Sequence, residues 1–205
     1  PVTERPVQLL GSDLLLWRTT FFDIQPHSRG TELHQGSAWL YENQQEPIIN
    51  PKDREELCQV TCWVALTDTN QENGCMLMYP GTGREIFPIK LLDDAEQDKA
   101  NNVYGAHPAE IDYPGDLPKP NYLEAKAGQF FLFSERYIHG SLDNRSDNSR
   151  WGVNGRIATT STRVYSQAMI EQDHHHKYFR VKYKSLNKWK AILLRGEDHF
   201  GYNKY

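Results

Sequence analysis

Short apolar and β-branched runs, each closed by a turn within a few residues, recur along this chain of 205 residues. That spacing leaves little room for long helices and favours strands that pack face to face. Leu14 to Phe22 is one such run. Val60 to Leu66 is a second, followed by the Asn- and Asp-rich turn from Asp68 to Gly74. Cys75 to Tyr79 is a third, stopped by Pro80-Gly81. Ala127-Gly128 turns into the run Gln129 to Phe133, and Trp151 to Thr160 is a further one. Residues 90–122 interrupt the pattern with a polar, proline-containing and acidic stretch that reads as an insertion, because strands resume after it. The expectation is one domain over residues 1–205, with an all-β core folded as a barrel or double-sheet jelly roll. A few helices are expected at its periphery, within Lys52–Leu57 or ahead of Pro1.

Composition narrows the function classes. Hydrophobic residues make up 38% and aromatic residues 12%, enough for a packed core rather than a disordered chain. A net charge of -4 speaks against binding a nucleic-acid polymer. No apolar run approaches the ~20 residues of a membrane span. The chain starts at Pro1 without a signal-peptide pattern, so the reading is a cytoplasmic protein numbered from inside a longer gene product. Cys58, Cys62 and Cys75 fit no zinc framework and read as buried thiols in a reducing compartment.

The chemistry-bearing feature is His34-Gln35-Gly36. Non-haem iron oxygenases hold Fe(II) with two histidines and one carboxylate on one face of the metal. Residues i and i+2 of a strand project to the same side, so a His-x-Asp pair supplies two of those ligands. Here the second position is glycine, which offers no ligand atom and leaves space beside the metal. A chloride or bromide ion fits that space as a direct ligand, available to a substrate carbon radical. His139, in Tyr137-Ile138-His139-Gly140-Ser141, is the candidate second histidine. Arg150 and Arg156 follow it. A guanidinium fork suits the distal carboxylate of 2-oxoglutarate, and an arginine near the metal also attracts a halide.

In order, these segments resemble a known family. Trp17-Arg18-Thr19-Thr20-Phe21-Phe22, His34-Gln35-Gly36, Thr61-Cys62-Trp63-Val64-Ala65-Leu66-Thr67-Asp68, Glu72-Asn73-Gly74-Cys75, Pro80-Gly81-Thr82 and His139-Gly140-Ser141 are similar to the phytanoyl-CoA dioxygenase superfamily. Within it the pattern resembles the chlorinating-enzyme branch, the syringomycin- and cytotrienin-type halogenases. The stretch from Trp189 to Asp198 is similar to that branch's tail. The resemblance implies a double-stranded β-helix fold and the cofactors Fe(II), 2-oxoglutarate, dioxygen and a halide. It implies that His34 and His139 ligate iron and that Gly36 stands where hydroxylases carry Asp. It further implies that Arg150 binds the distal carboxylate of 2-oxoglutarate, that Trp63 walls the cosubstrate pocket, and that Thr61 and Arg156 help hold the halide.

The branch's usual partner is an aminoacyl group tethered to an acidic carrier protein. Lys177 to Lys190 departs from the branch by carrying six Lys or Arg and no acid, interleaved with aromatic rings. That surface suits carrier docking by charge, a free anionic small molecule such as a nucleotide, or simply solvent. His174-His175-His176 reads as a polar loop, because three adjacent histidines cannot face one metal from one strand. Two rival readings stay open: a hydroxylase whose Asp has been replaced by Gly36, and a barrel that has lost iron and binds a small ligand.

Overall fold

A computed structural model of the chain describes residues 2–36, 49–50, 57–91, 109–171 and 186–205. The strands, in chain order, are β1 (Leu14–Ile24), β2 (Ile49–Asn50), β3 (Gln59–Ala65), β4 (Met76–Met78), β5 (Ile89–Leu91) and β6 (Ala109–Ile111). They continue with β7 (Asn121–Leu123), β8 (Phe130–Phe133), β9 (His139–Ser141), β10 (Arg150–Thr159), β11 (Arg163–Val164) and β12 (Ile192–Arg195). The helices α1 (Glu4–Leu10) and α2 (Gln167–Glu171) are short.

A five-stranded sheet, in the order β12-β1-β10-β3-β8, is antiparallel throughout. A smaller antiparallel sheet runs β7-β4-β9 and is extended past β9 by His34, which pairs with His139. The two sheets enclose the site, as the jelly-roll expectation requires. Among the described residues no helix is long and apolar enough to cross a membrane.

Cross-strand register places the functional side chains in rows. Arg18, Arg156, Thr61 and Phe133 are successive partners across β1, β10, β3 and β8. Thr20, Asn154, Trp63 and Phe131 form the next row. Alternation along each strand sends these rows to one face. In β1 a bulge between Leu16 and Arg18 shifts the phase. Leu15 and Trp17 pack into the core at one end, and Arg18, Thr20 and Phe22 line the cavity beyond the bulge. The opposite face of the large sheet is apolar as well. Leu14, Val60, Cys62 and Ile157 pack there against Val7 and Leu10 of α1.

β1, β3, β4, β8 and β10 lie within two residues of their expected ends. Other features differ from expectation, the short strands β9, β11 and β12 among them. The helix α1 carries no strong sequence signal, with no side-chain cap on its N-terminus. The insertion is not wholly irregular, because β5 and β6 pair as an antiparallel ladder and β7 joins the small sheet. The helix expected at Lys52–Leu57, the three adjacent histidines and most of the basic stretch lie outside the described residues. Cys62 and Cys75 are buried free thiols and Cys58 is half-buried.

Candidate functional site

All seven residues singled out from sequence, His34, Gly36, Thr61, Trp63, His139, Arg150 and Arg156, line one cavity of about 260 Å³ between the two sheets. A wider cavity of about 770 Å³ lies beside it around Arg29, Glu32 and Tyr113, but it contains neither histidine.

The histidine pair is built by backbone pairing. His34 N–H donates to His139 O at 2.8 Å, and His139 N–H donates to His34 O at 3.0 Å. This sets the two rings 4.2 Å apart, tilted by 50°. Each ring is oriented by its own Nδ1, which lies 2.8 Å from Glu32 O in His34 and 2.7 Å from Tyr137 O in His139. A carbonyl only accepts, so each Nδ1 carries the proton and each Nε2 keeps its lone pair. That is the tautomer a metal-binding histidine needs, fixed by the hydrogen bond on its far side. Burial, followed by repulsion from His139, pushes His34 down to about 3. Burial pushes His139 down to about 4, with Arg156 adding to it and the Tyr137 carbonyl opposing it. Both rings are therefore neutral and available as ligands at neutral pH.

Gln35, between the histidine and the glycine, points the opposite way and is 0% exposed. Its Nε2 donates to Glu85 O at 2.9 Å and also to Arg136 O, while its Oε1 accepts from Phe87 N–H at 2.9 Å. The side chain thus ties the His34 segment to the chain before β5 and to the turn before His139.

Arg150 is 2% exposed. Its Nε and Nη2 donate to Gly74 O at 3.1 and 2.7 Å, and its guanidinium carbon lies 5.5 Å from the Trp63 ring centre. Burial lowers its pKa to about 10, so it remains charged at neutral pH. Among the described residues no ion pair to Arg150 forms. A buried charge without a counter-ion is costly, which makes this a fitting seat for an anionic ligand group. Gly152 gives the Trp63 ring its room, since a Cβ there would lie 2.6 Å from Trp63 Cε2.

Sequence reasoning missed Glu135. It is 6% exposed and lies in the turn between β8 and β9. Its Oε1 accepts from Thr61 Oγ1–H at 2.8 Å and lies 2.7 Å from Arg156 Nε. The Arg156 N–H is not aligned for a hydrogen bond, so that contact is ionic and leaves a buried Nε–H without a hydrogen-bond acceptor among the described residues. Thr61 and Arg156, the residues expected to face a halide, are thus already in contact with a carboxylate. Glu135 also stands against Gly36, whose N–H donates to Glu135 O at 2.8 Å. Arg18, a second cation lining the cavity, was missed too, as was Asn154, whose Oδ1 accepts from Thr20 N–H at 3.2 Å.

Two oriented imidazoles with lone pairs on Nε2 fit two positions of a non-haem iron site, and Arg150 fits a cosubstrate carboxylate. Among the described residues no third His, Cys, Asp or Glu completes a metal-binding group.

The phytanoyl-CoA dioxygenase (PhyH) family model matches residues 3–152. Phytanoyl-CoA dioxygenase domain-containing protein 1 of Mus musculus is 23% identical over 169 residues, 81% of this chain and 53% of that protein. Phytanoyl-CoA dioxygenase 1 of Oryza sativa subsp. japonica is 28% identical over 105 residues, 48% of this chain and 32% of that protein. The chain therefore spans about a third to a half of the length of these relatives. Among solved structures it is similar to CytC3 with Fe(II) and alpha-ketoglutarate, with a TM-score of 0.67 and 24% identity over 99% of this chain and 64% of that one. It is also similar to the non-heme monooxygenase ThoJ, with a TM-score of 0.66 and 21% identity over 96% and 58% of the two chains. The alpha-ketoglutarate-dependent epimerase SnoN matches with a TM-score of 0.58 and 18% identity over 90% and 62%. At these identities the structural likenesses establish the jelly-roll fold. The chain belongs to the phytanoyl-CoA dioxygenase family.

Proposed function

We propose that this protein is an Fe(II)- and 2-oxoglutarate-dependent halogenase that replaces hydrogen by chloride, or bromide, on an unactivated sp3 carbon in natural-product biosynthesis. The observation that carries the reading is Gly36. It follows a histidine that is oriented as a ligand and paired with a second one, at the position where a carboxylate would complete the iron site.

When bound, iron with 2-oxoglutarate and dioxygen supplies the oxidant that removes a hydrogen atom from carbon, and a halide in the position left by Gly36 supplies the group transferred. The chain's own residues prepare that event. His34 and His139 hold the metal through Nε2 while the Glu32 and Tyr137 carbonyls keep the rings from turning. Arg150 takes the distal carboxylate of 2-oxoglutarate and Trp63 walls the cosubstrate against the large sheet. Thr61 and Arg156 would help to hold the halide once the Glu135 carboxylate that they now contact gives way, the Arg156 Nε–H being a donor with no hydrogen-bond acceptor among the described residues. CytC3, solved with Fe(II) and alpha-ketoglutarate, supports these cofactors by its likeness.

The substrate is an aminoacyl group on an acidic carrier protein, or a free anionic metabolite such as a nucleotide. Arg18, on the cavity wall beside Arg156, favours the anionic small molecule. Carrier-bound and free substrates are separable by mass spectrometry of reactions run with chloride and without it. A product with the chlorine isotope pattern, formed only with chloride, iron and 2-oxoglutarate, supports the reading. A hydroxylated product that forms equally without halide refutes it.

A further inference from the structure

We propose that Glu135 is a specificity-determining residue of this site: its side chain and a ligand side chain at position 36 are alternative occupants of one space, so the glycine is imposed by the glutamate. The inference rests on reading His34 and His139 as an iron pair, and does not depend on which group is transferred.

The geometry is close on both sides. A Cβ at position 36 would lie 2.7 Å from Glu135 Cβ and 2.8 Å from its Cδ. Carbon atoms in contact prefer about 3.5–4.0 Å. Swinging the carboxylate away relieves the Cδ contact but not the Cβ contact, which is fixed by the main chain. The main chains cannot separate cheaply either. Gly36 N–H donates to Glu135 O at 2.8 Å, and the adjoining pair of bonds between His34 and His139 holds the same two segments together. The carboxylate is anchored in turn by Thr61 Oγ1–H and by Arg156 Nε.

Charge adds to this, although two guanidiniums are near. Arg156 faces the buried Glu135 carboxylate, and Arg18, its cross-strand partner, feels both charges. An aspartate at 36 would place a second carboxylate against the first, where like charges at short range disfavour each other. A three-ligand iron site can therefore be built at position 36 only if Glu135 gives way. By the same contacts Glu135 would set what an anion beside Gly36 meets, because Thr61 and Arg156 would reach that anion only in competition with a built-in carboxylate.

The test is a double-mutant cycle on the full chain, read by thermal melting and by Co(II) affinity, with Co(II) as an oxygen-stable stand-in for Fe(II). Gly36→Asp should lower Tm by roughly 5–10 °C, the range for overpacking a site in a domain of this size. It should bind Co(II) no more tightly than the unmodified protein. Gly36→Asp with Glu135→Gly, which removes the Cβ as well as the carboxylate, should recover at least half of that Tm loss. It should also bind Co(II) about tenfold more tightly than either single variant, because a third protein ligand is now seated. Gly36→Asp with Glu135→Gln keeps the bulk without the charge and should stay destabilised, which separates steric exclusion from repulsion. A Gly36→Asp variant that melts normally and binds Co(II) tightly would overturn the proposal. So would a double variant whose Tm loss is the sum of the singles. If the unmodified protein bound no Co(II), the iron reading would fall, and the Tm cycle alone would still decide whether Glu135 excludes a side chain at 36.

Discussion

Replacing Gln35 by methionine removes a buried side chain that ties the metal-site segment to its surroundings. Methionine keeps the length and burial of glutamine but offers no strong donor or acceptor. Three partners lose their bond: the carbonyls of Glu85 and Arg136, and the N–H of Phe87. A buried polar group left unpaired costs about 1–3 kcal/mol. Glu85 is exposed and Arg136 half-buried, so water can reach those two carbonyls, while the Phe87 bond is buried. A total of about 3 kcal/mol follows, equivalent to a Tm fall of roughly 6–12 °C in a domain of this size. The loss should also reach the metal, because His34 is the neighbouring residue and its ring position depends on this segment. Thermal denaturation by circular dichroism and Co(II) titration of the same sample measure both effects. A Tm within about 2 °C of the unmodified protein, together with unchanged Co(II) affinity, would refute the idea that Gln35 positions the histidine.

Further outcomes follow from the same contacts. Arg150→Lys keeps the charge but loses the planar fork that grips Gly74 O and that we propose for the cosubstrate carboxylate. It should weaken 2-oxoglutarate binding by about tenfold or more, the scale of losing one charge-assisted bond, as measured by calorimetry with Co(II) present. Gly152→Ala should push the Trp63 ring out of place and cost about 1–3 kcal/mol, with weaker cosubstrate binding but a preserved histidine pair. The metal-free protein should lose stability as pH falls. In the folded state burial holds His34 at about 3 and His139 at about 4, while both titrate near ~6.5 in the unfolded chain. The unfolded state therefore takes up protons first. Stability is complete above pH ~6.5 and declines towards pH ~4, by up to about 1.4 kcal/mol per pH unit for each histidine. Urea melts across that range that show no decline would contradict the buried, neutral pair.

Much of the architecture was legible because strands announce themselves locally. β1, β3, β8 and β10 each contain an apolar or β-branched run bounded by turn residues, and their ends were found within two positions. That seven singled-out residues line one cavity was legible for a different reason, through the order of motifs shared with a family. What stayed hidden depends on contacts between segments far apart in the chain. Arg18 faces the cavity only because the bulge at Trp17 shifts the alternation of β1, which no single-strand pattern reveals. Gln35 reads as the spacer in His-x-Gly, yet its side chain binds three residues that come 50 to 101 positions later. Glu135 sits in a polar Ser-Glu-Arg turn that looks solvent-facing, and only the approach of β3 and β10 makes it a buried partner of Thr61 and Arg156. The vacancy inferred at Gly36 was thus half of a pair, and the other half was invisible without the fold.

A halide bound beside Gly36, on an iron ion held by His34 and His139, would have to take its place against the Glu135 carboxylate that borders that glycine. The most direct measurement is the visible absorption of anaerobic protein loaded with Fe(II) and 2-oxoglutarate, titrated with chloride. A saturable shift of the iron-to-cosubstrate charge-transfer band is expected, with bromide giving a distinct spectrum and Arg156→Met weakening the halide response. A charge-transfer band that forms but stays unmoved by chloride and bromide would contradict it.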